Sequence, residues 1–188
     1  TYGEERCCSN YVCMKIKYFQ DFYMLNTIAG YKSFNKRLLK LIEKMPANRF
    51  VTNTECITRT DWNLPKDHKR EYLSYFYENI RPTMFEIAKQ LKAKQWSIWN
   101  GWYQQYKQMD YHNWHRHDKT NWTNIYYVEA PTKSMLTKIK NPFTDEITTI
   151  EAEEGTLVTL PGHVLHTSPK FKSTKRKTII SFNSCFHD

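Results

Sequence analysis

From Trp96 onward, the chain alternates short runs of β-branched and aromatic residues with polar turns. This alternation is typical of antiparallel strands in a sandwich or barrel. Asn141–Pro142 interrupts one pair of runs, and Gly155 provides a residue that can take a positive φ in another turn. The predicted strands are Trp96–Tyr106, Tyr111–His115, Thr123–Glu129, Ser134–Ile139, Ile147–Glu151, Thr156–Leu160 and Lys177–Asn183.

Apolar residues in the first half recur at steps of three and four, as one buried face of a helix requires. The two sets are Phe34, Leu38, Ile42 and Met45, and then Tyr72, Phe76, Ile80, Met84, Ile87 and Leu91. Pro82 lies within the second set and is expected to break or kink that helix. The polar stretch Thr52–Pro65 is predicted to be a connecting loop.

A chain of 188 residues is long enough for one well-buried core. We therefore expect a single domain over 1–188 of the α+β class, with a mainly helical scaffold over 1–95 packed on a β core over 96–188. With 40% hydrophobic and 25% charged residues, the composition is that of an ordered globular protein. The 15% aromatic content indicates a rigid core and an aromatic-lined cavity.

The net charge of +9 favours acidic partners, such as nucleic acid, an anionic cosubstrate or an acidic protein face, although it also simply promotes solubility. The five cysteines are odd in number and form no CxxC pair. Neither a signal peptide nor a long apolar run is visible in the sequence. The expected location is therefore a reducing cytoplasm, without membrane association.

Histidines at the end of one predicted strand form a candidate metal site. Residues two apart on a strand point to the same side, so His115 and His117 can converge on one ion. Asp118 is the alternative second ligand, and it would require a turn immediately after His117. Imidazoles and carboxylates suit iron(II), and a facial set of three leaves positions for a cosubstrate and oxygen.

A third ligand follows the strand Thr156–Leu160 and the turn at Pro161-Gly162. This turn can return His166 to the same end of the sandwich. His163 is the rival, but it lies within the turn and is expected to be a surface residue or to lie outside the ligand set. His112 is expected to be structural.

The last predicted strand begins with basic residues about ten positions beyond His166. A buried cation there could pair with a carboxylate of a dicarboxylic cosubstrate. Strand alternation relative to Ser181 selects Lys177, whereas the residue type favours Arg176, which binds carboxylates bidentately. Of the two, we favour Arg176. A solvated basic hairpin is the alternative to both.

Three blocks in this order, WHRHDKTNWTNIYYVEAP, EGTLVTLPGHVLHTSP and RKTIISFN, resemble the 2-oxoglutarate and iron(II)-dependent oxygenase superfamily. More narrowly, they are similar to the small prolyl-hydroxylase-like oxygenases of bacteriophages, especially cyanophages. The resemblance implies a double-stranded β-helix and a dioxygenase that uses Fe(II), 2-oxoglutarate and O2, with a protein side chain favoured as prime substrate.

Carried over by position, the resemblance places iron on His115, on the residue two further along and on His166. It places 2-oxoglutarate against Tyr127 and the basic residue of the last strand, with Ser181 on the same inward face. Tyr106 matches a further tyrosine that faces the cosubstrate. The family usually has Asp where this chain has His117, so the iron ligands would be three histidines unless Asp118 replaces it.

Two other functions remain open on the sequence alone. The chain could be a catalytically inactive β-sandwich module that binds nucleic acid or an acidic protein through its basic face. It could also hold a cupin-like metal site that does not use 2-oxoglutarate. Metal content and succinate production separate the three.

Overall fold

The computed structural model of the protein describes residues 21–46, 48–117 and 119–188. This part of the chain forms eleven strands and two α-helices. The helices are α1 (Tyr31–Ile42) and α2 (Glu71–Gln90), and a short 3-10 turn spans Lys133–Met135. The strands are β1 (Met24–Thr27), β2 (Asn48–Val51), β3 (Glu55–Thr60), β4 (Gln95–Tyr106), β5 (Tyr111–His115), β6 (Trp122–Glu129), β7 (Lys138–Lys140), β8 (Ile147–Thr149), β9 (Thr156–Pro161), β10 (Leu165–Ser168) and β11 (Lys177–His187).

All strand pairs are antiparallel, and they join in the order β1-β9-β6-β11-β4-β3-β5-β10-β7-β8, with β2 paired to β3. The long strand β11 lies in the middle of the larger layer, between β6 and β4. β3 bridges the two layers because it pairs with β4 at one end and with β5 at the other. The sheet curls, so β5 and β10 face β4, β6 and β11 across a cavity.

Side-chain alternation along the strands separates two hydrophobic cores. On β11, Ile180 and Phe182 pack toward the helices, whereas Ile179 packs into the core between the two strand layers. On β6, Tyr126 packs toward the helices and Tyr127 packs inward. This period of two is the pattern expected of strands covered on both faces.

Both helices lie on the outer face of the larger layer. Phe34 of α1 stacks on Phe76 of α2, with ring centroids 6.1 Å apart, and both rings contact Tyr126. α2 packs against β4 at Gly101, where an added Cβ would collide with the hydroxyl of Tyr77. Neither helix in the described part of the chain combines the length and the apolar character needed to cross a membrane.

The predicted α+β class and the antiparallel strand layers are confirmed. The mainly helical description of 1–95 is incomplete, because β1, β2 and β3 lie there and β3 occupies part of the predicted loop. α2 continues through Pro82 rather than breaking. The predicted strand Ser134–Ile139 is wrong over its first part, where the chain forms the 3-10 turn and only then enters β7.

Candidate active site

A narrow cavity lies between the two strand layers, with about 340 Å³ of empty space including its mouth. Its walls come from β4, β6 and β11 on one side and from β5, β10 and the segment before β7 on the other. Its lining residues are Trp102, Gln104, Tyr106, His112, His115, His117, Thr123, Ile125, Thr137, His166, Thr167, Ser168, Ile179 and Ser181.

His115, His117 and His166 form a cluster in this cavity, as the sequence predicted for their positions. Each offers one ring nitrogen, and these three atoms lie within 4.8 Å of one another. His115 and His166 are direct partners in the β5–β10 register. His117 follows β5, and its backbone N–H donates to the carbonyl of Gly162 at 2.8 Å, so the turn before β10 fixes its position.

A hydrogen bond at Nδ1 orients each of the three rings. In each ring, Nδ1 lies close to an oxygen acceptor. The pairs are His115 Nδ1–Asn113 O (2.7 Å), His117 Nδ1–Asn183 Oδ1 (2.7 Å) and His166 Nδ1–Val164 O (2.9 Å). A carbonyl oxygen only accepts, so Nδ1 carries the hydrogen, and in the neutral ring Nε2 keeps its lone pair. This second layer of contacts is typical of histidines that bind a metal through Nε2.

His115 and His166 are held in the protonation state that binds a metal. Burial, with a smaller contribution from the neighbouring histidines, lowers the pKa of His115 to about 4 and that of His166 to about 3. Both rings are therefore neutral near pH 7. Neutral imidazole is the form that binds a metal.

Two alternatives from the sequence have different outcomes. Asp118 lies outside the described residues, so the choice between it and His117 stays a prediction. The side chain of His163 is 70% exposed, and its Nε2 lies 2.7 Å from Asp21 Oδ2. His163 is thus a surface residue, away from the cluster.

His112 lies against the cluster, which the sequence did not predict. A β-bulge in β5 is the reason: His115 pairs with His166, but His112 pairs with Ser168, so three steps on β5 match two on β10. The extra residue turns His112 and His115 to the same side, although strict alternation would place them on opposite faces. Only an irregular strand produces this arrangement, and the sequence pattern gives no clear signal of one.

Lys177 is fully buried beside two residues that line the cavity, Ser168 and Tyr106. Its Nζ donates to the carbonyl of Met135 at 2.9 Å and to the hydroxyl of Ser168, and it lies 4.2 Å from the ring centroid of Tyr106. Among the described residues, no carboxylate pairs with it, and burial lowers the pKa of Lys177 to about 7. A buried cation without a counterion is unfavourable, so this position favours an anionic ligand.

The other predicted cosubstrate residues are divided between the cavity and its surroundings. Tyr106 and Ser181 line the cavity. Tyr127 is fully buried behind it, and its hydroxyl donates to Thr137 Oγ1 at 2.8 Å. Arg176 points away from the cavity and pairs with Glu129 and Glu43 at the outer surface.

Several buried polar atoms in the cavity wall make no hydrogen bond within the described residues. They are Trp102 Nε1, Gln104 Nε2, Tyr106 Oη and Thr123 Oγ1. Each can donate a hydrogen bond, and leaving such a group unsatisfied costs about 1–3 kcal/mol. Four donors around one cavity fit a ligand that is rich in acceptor oxygens.

Comparison with solved structures identifies the class of fold. An oxidoreductase of the 2OG-Fe(II) oxygenase family from Burkholderia pseudomallei matches with a TM-score of 0.69 and 11% identity, over 86% of this chain and 84% of that chain. The viral collagen prolyl hydroxylase of Paramecium Bursaria Chlorella virus-1, solved with 2OG, matches with a TM-score of 0.57 and 16% identity, over 88% and 96%. The epimerase SnoN of nogalamycin biosynthesis, solved with Fe3+, alpha ketoglutarate and nogalamycin RO, matches with a TM-score of 0.66 and 11% identity, over 87% and 78%.

These similarities show that the chain has the fold of the 2OG-Fe(II) oxygenases, and they confirm the predicted double-stranded β-helix. No protein-family model matches the sequence, and no curated protein matches it either. At such low identities, the likeness establishes the fold and leaves the activity to be argued from the site.

Proposed function

We propose that this protein is an Fe(II)- and 2-oxoglutarate-dependent oxygenase, with His115, His117 and His166 as the iron ligands. The observation that carries the proposal is a cluster of three histidines, each oriented by a hydrogen bond at Nδ1, in a cavity whose wall also contains unpaired donors. A buried lysine contacts two residues of the same wall. A metal site alone would not require the donors. An anion site alone would not require three oriented imidazoles.

The ligand set fits iron(II). Three neutral imidazoles can occupy one face of an octahedral ion and leave the opposite positions for a cosubstrate and O2. When bound, iron and 2-oxoglutarate would supply oxidation by O2 coupled to decarboxylation of 2-oxoglutarate to succinate and CO2. The protein contributes the orientation of the rings and a cavity that shields the reacting groups.

The charge at the site also favours 2-oxoglutarate. Three neutral ligands leave the full +2 charge on the metal, whereas the usual carboxylate ligand would reduce it. A dicarboxylate compensates this charge at one end and the ammonium group of Lys177 at the other. We therefore assign the distal carboxylate to Lys177 rather than to Arg176, whose guanidinium is already paired outside the cavity.

Lys177 Nζ lies against the ring of Tyr106, which lines the cavity, and Ser181 lines the same space. Tyr127 holds Thr137, a lining residue, through two hydrogen bonds. We infer that Tyr106, Ser181 and Lys177 bind the cosubstrate and that Tyr127 positions the wall beside it.

For the prime substrate we propose a protein side chain, with proline as the first candidate. The shared fold with a viral collagen prolyl hydroxylase supports this choice. The net charge of +9 favours an acidic peptide over a basic one.

The proposal is tested by anaerobic Fe(II) and 2-oxoglutarate titration, followed by a succinate assay with proline-containing peptides. We expect one iron per chain, 2-oxoglutarate binding that depends on iron, and succinate formation in air. His166→Ala should abolish iron binding, and His163→Ala is the matched control that should retain it. Equal loss of iron in the two folded variants would refute the ligand assignment.

A three-histidine metal site that works without 2-oxoglutarate is the second candidate, because the three clustered imidazoles could bind a metal whether or not a cosubstrate binds beside them. The same titration separates the two functions. Iron binding without any effect of 2-oxoglutarate on the bound metal would favour the second candidate.

A further inference from the structure

Four histidine side chains meet in the cavity, and His112 is the one that the proposed ligand set does not use. Its ring lies parallel to that of His115, with centroids 3.8 Å apart and an interplanar angle of 13°. Such close parallel contact leaves no room for the His115 ring to rotate toward His112. The position of His112 therefore restricts the plane of a proposed iron ligand.

His112 is itself held on several sides. Its Nε2 lies 2.7 Å from Glu55 Oε1, and Glu55 is its direct partner in the β3–β5 register. Its backbone carbonyl accepts a hydrogen bond from Thr167 Oγ1 at 2.6 Å. The side chains of His112 and Glu55 are only 12% and 22% exposed, so the contact is well shielded from water.

The hydrogen bond with Glu55 fixes the His112 tautomer. A carboxylate only accepts, so His112 Nε2 must carry the hydrogen and donate it. The same hydrogen bond holds the His112 ring in one orientation beside the cluster.

We propose that the Glu55–His112 pair is a positioning device for iron: Glu55 orients His112, and the His112 ring holds the plane of His115. The His115 ring is then fixed along two directions. The hydrogen bond to the Asn113 carbonyl fixes the direction in which Nδ1 of His115 points, and the contact with His112 fixes the plane of the ring. This inference rests on the proposed function, because it assumes that His115 binds the metal.

The test measures metal binding rather than turnover. Anaerobic Fe(II) titration gives the dissociation constant, and the visible spectrum of the Co(II)-substituted protein reports the ligand geometry. Loss of a partner behind a metal ligand typically weakens affinity 10–100-fold. We expect His112→Ala to weaken Fe(II) binding by about tenfold or more and to alter the Co(II) spectrum.

Two conservative variants separate positioning from simple stability. His112→Phe keeps a flat ring against His115 and should recover most of the affinity that His112→Ala loses. Glu55→Gln keeps the size of the partner but removes its charge, and it should weaken Fe(II) binding several-fold with little change in folding. His163→Ala is the matched control, because it removes a histidine that lies outside the cluster.

The outcomes distinguish this inference from the proposed function. If the wild-type protein binds Fe(II) and both His112→Ala and Glu55→Gln keep its affinity and Co(II) spectrum, the positioning role is refuted and the iron site stands. If wild-type protein and His166→Ala are equally free of iron, both ideas fail together. Should His112→Ala not fold, Glu55→Gln and His112→Phe decide the question.

Discussion

Two adjacent basic residues at the start of β11 have opposite surroundings. Arg176 pairs with Glu129 and Glu43 at the outer surface, whereas Lys177 is buried against Tyr106 with no carboxylate partner among the described residues. Strand alternation predicts this difference, although the residue type had favoured Arg176. A buried ammonium group that lacks a counterion is a stronger candidate for anion binding than a guanidinium that already has two.

Replacing Lys177 by Met should therefore weaken 2-oxoglutarate binding by about 30-fold or more, because removing one partner of a buried charge pair costs about 2–5 kcal/mol. Arg176→Met, the neighbouring control, should change the affinity by less than about threefold. Calorimetric titration of the anaerobic Fe(II) protein measures both. A larger loss in Arg176→Met would reverse the assignment.

The affinity for 2-oxoglutarate should fall as the pH rises above about 7. The pKa of Lys177 is about 7 without ligand, and a bound carboxylate would raise it, so binding above pH 7 requires uptake of a proton. His115 and His166 titrate below pH 5 and do not contribute in this range. Titrations from pH 6.5 to 9 in Lys177→Met should lack this slope, and the same slope in that variant would assign it elsewhere.

At the scale of the element, the sequence predicted long strands better than short ones. β4, β5, β6 and β9, with five to twelve residues, lie within one residue of their predicted bounds, although β11 runs four residues past the predicted Asn183. β1, β2 and β10 have four residues each, too few for a period of two to stand out. Strand alternation and a turn in the sequence predicted that His115, His117 and His166 lie together. The position of His112 depends on a bulge in the pairing of β5 with β10, which the sequence pattern does not show.

α2 forms although it contains a proline, a residue that disfavours the interior of a helix. It remains helical through Pro82, which cannot donate a hydrogen bond to the carbonyl four residues earlier. Because Pro82 is exposed, Pro82→Ala should raise the free energy of unfolding by about 1–2 kcal/mol. Ser74→Ala, at another exposed position of α2, should change it by less than about 0.5 kcal/mol. Urea denaturation measures both, and an unchanged or lower stability in Pro82→Ala would contradict the expectation.

At the scale of the whole molecule, the cavity joins the two strand layers. The proposed iron ligands lie on or beside β5 and β10, and most of the cosubstrate donors lie on β4, β6 and β11. Ligands bound there would hold the layers together in the folded state.

Fe(II) and 2-oxoglutarate together should therefore raise the melting temperature under anaerobic conditions. Saturation at 100 times the dissociation constant adds about 2.7 kcal/mol, which for a chain of this size corresponds to roughly 5–10 °C. Thermal unfolding monitored by circular dichroism measures the shift. His166→Ala should show none of it, and a shift of equal size in that variant would mean that the ligands bind elsewhere.

The central position of β11 has a consequence for biosynthesis. β11 follows every other described strand in the sequence, yet it pairs with both β4 and β6. Until the ribosome has released it, those two strands have unpaired edges, and such edges can pair with other chains. The larger layer therefore cannot be completed until β11 has left the ribosome, and the cavity that depends on this layer forms only after that step.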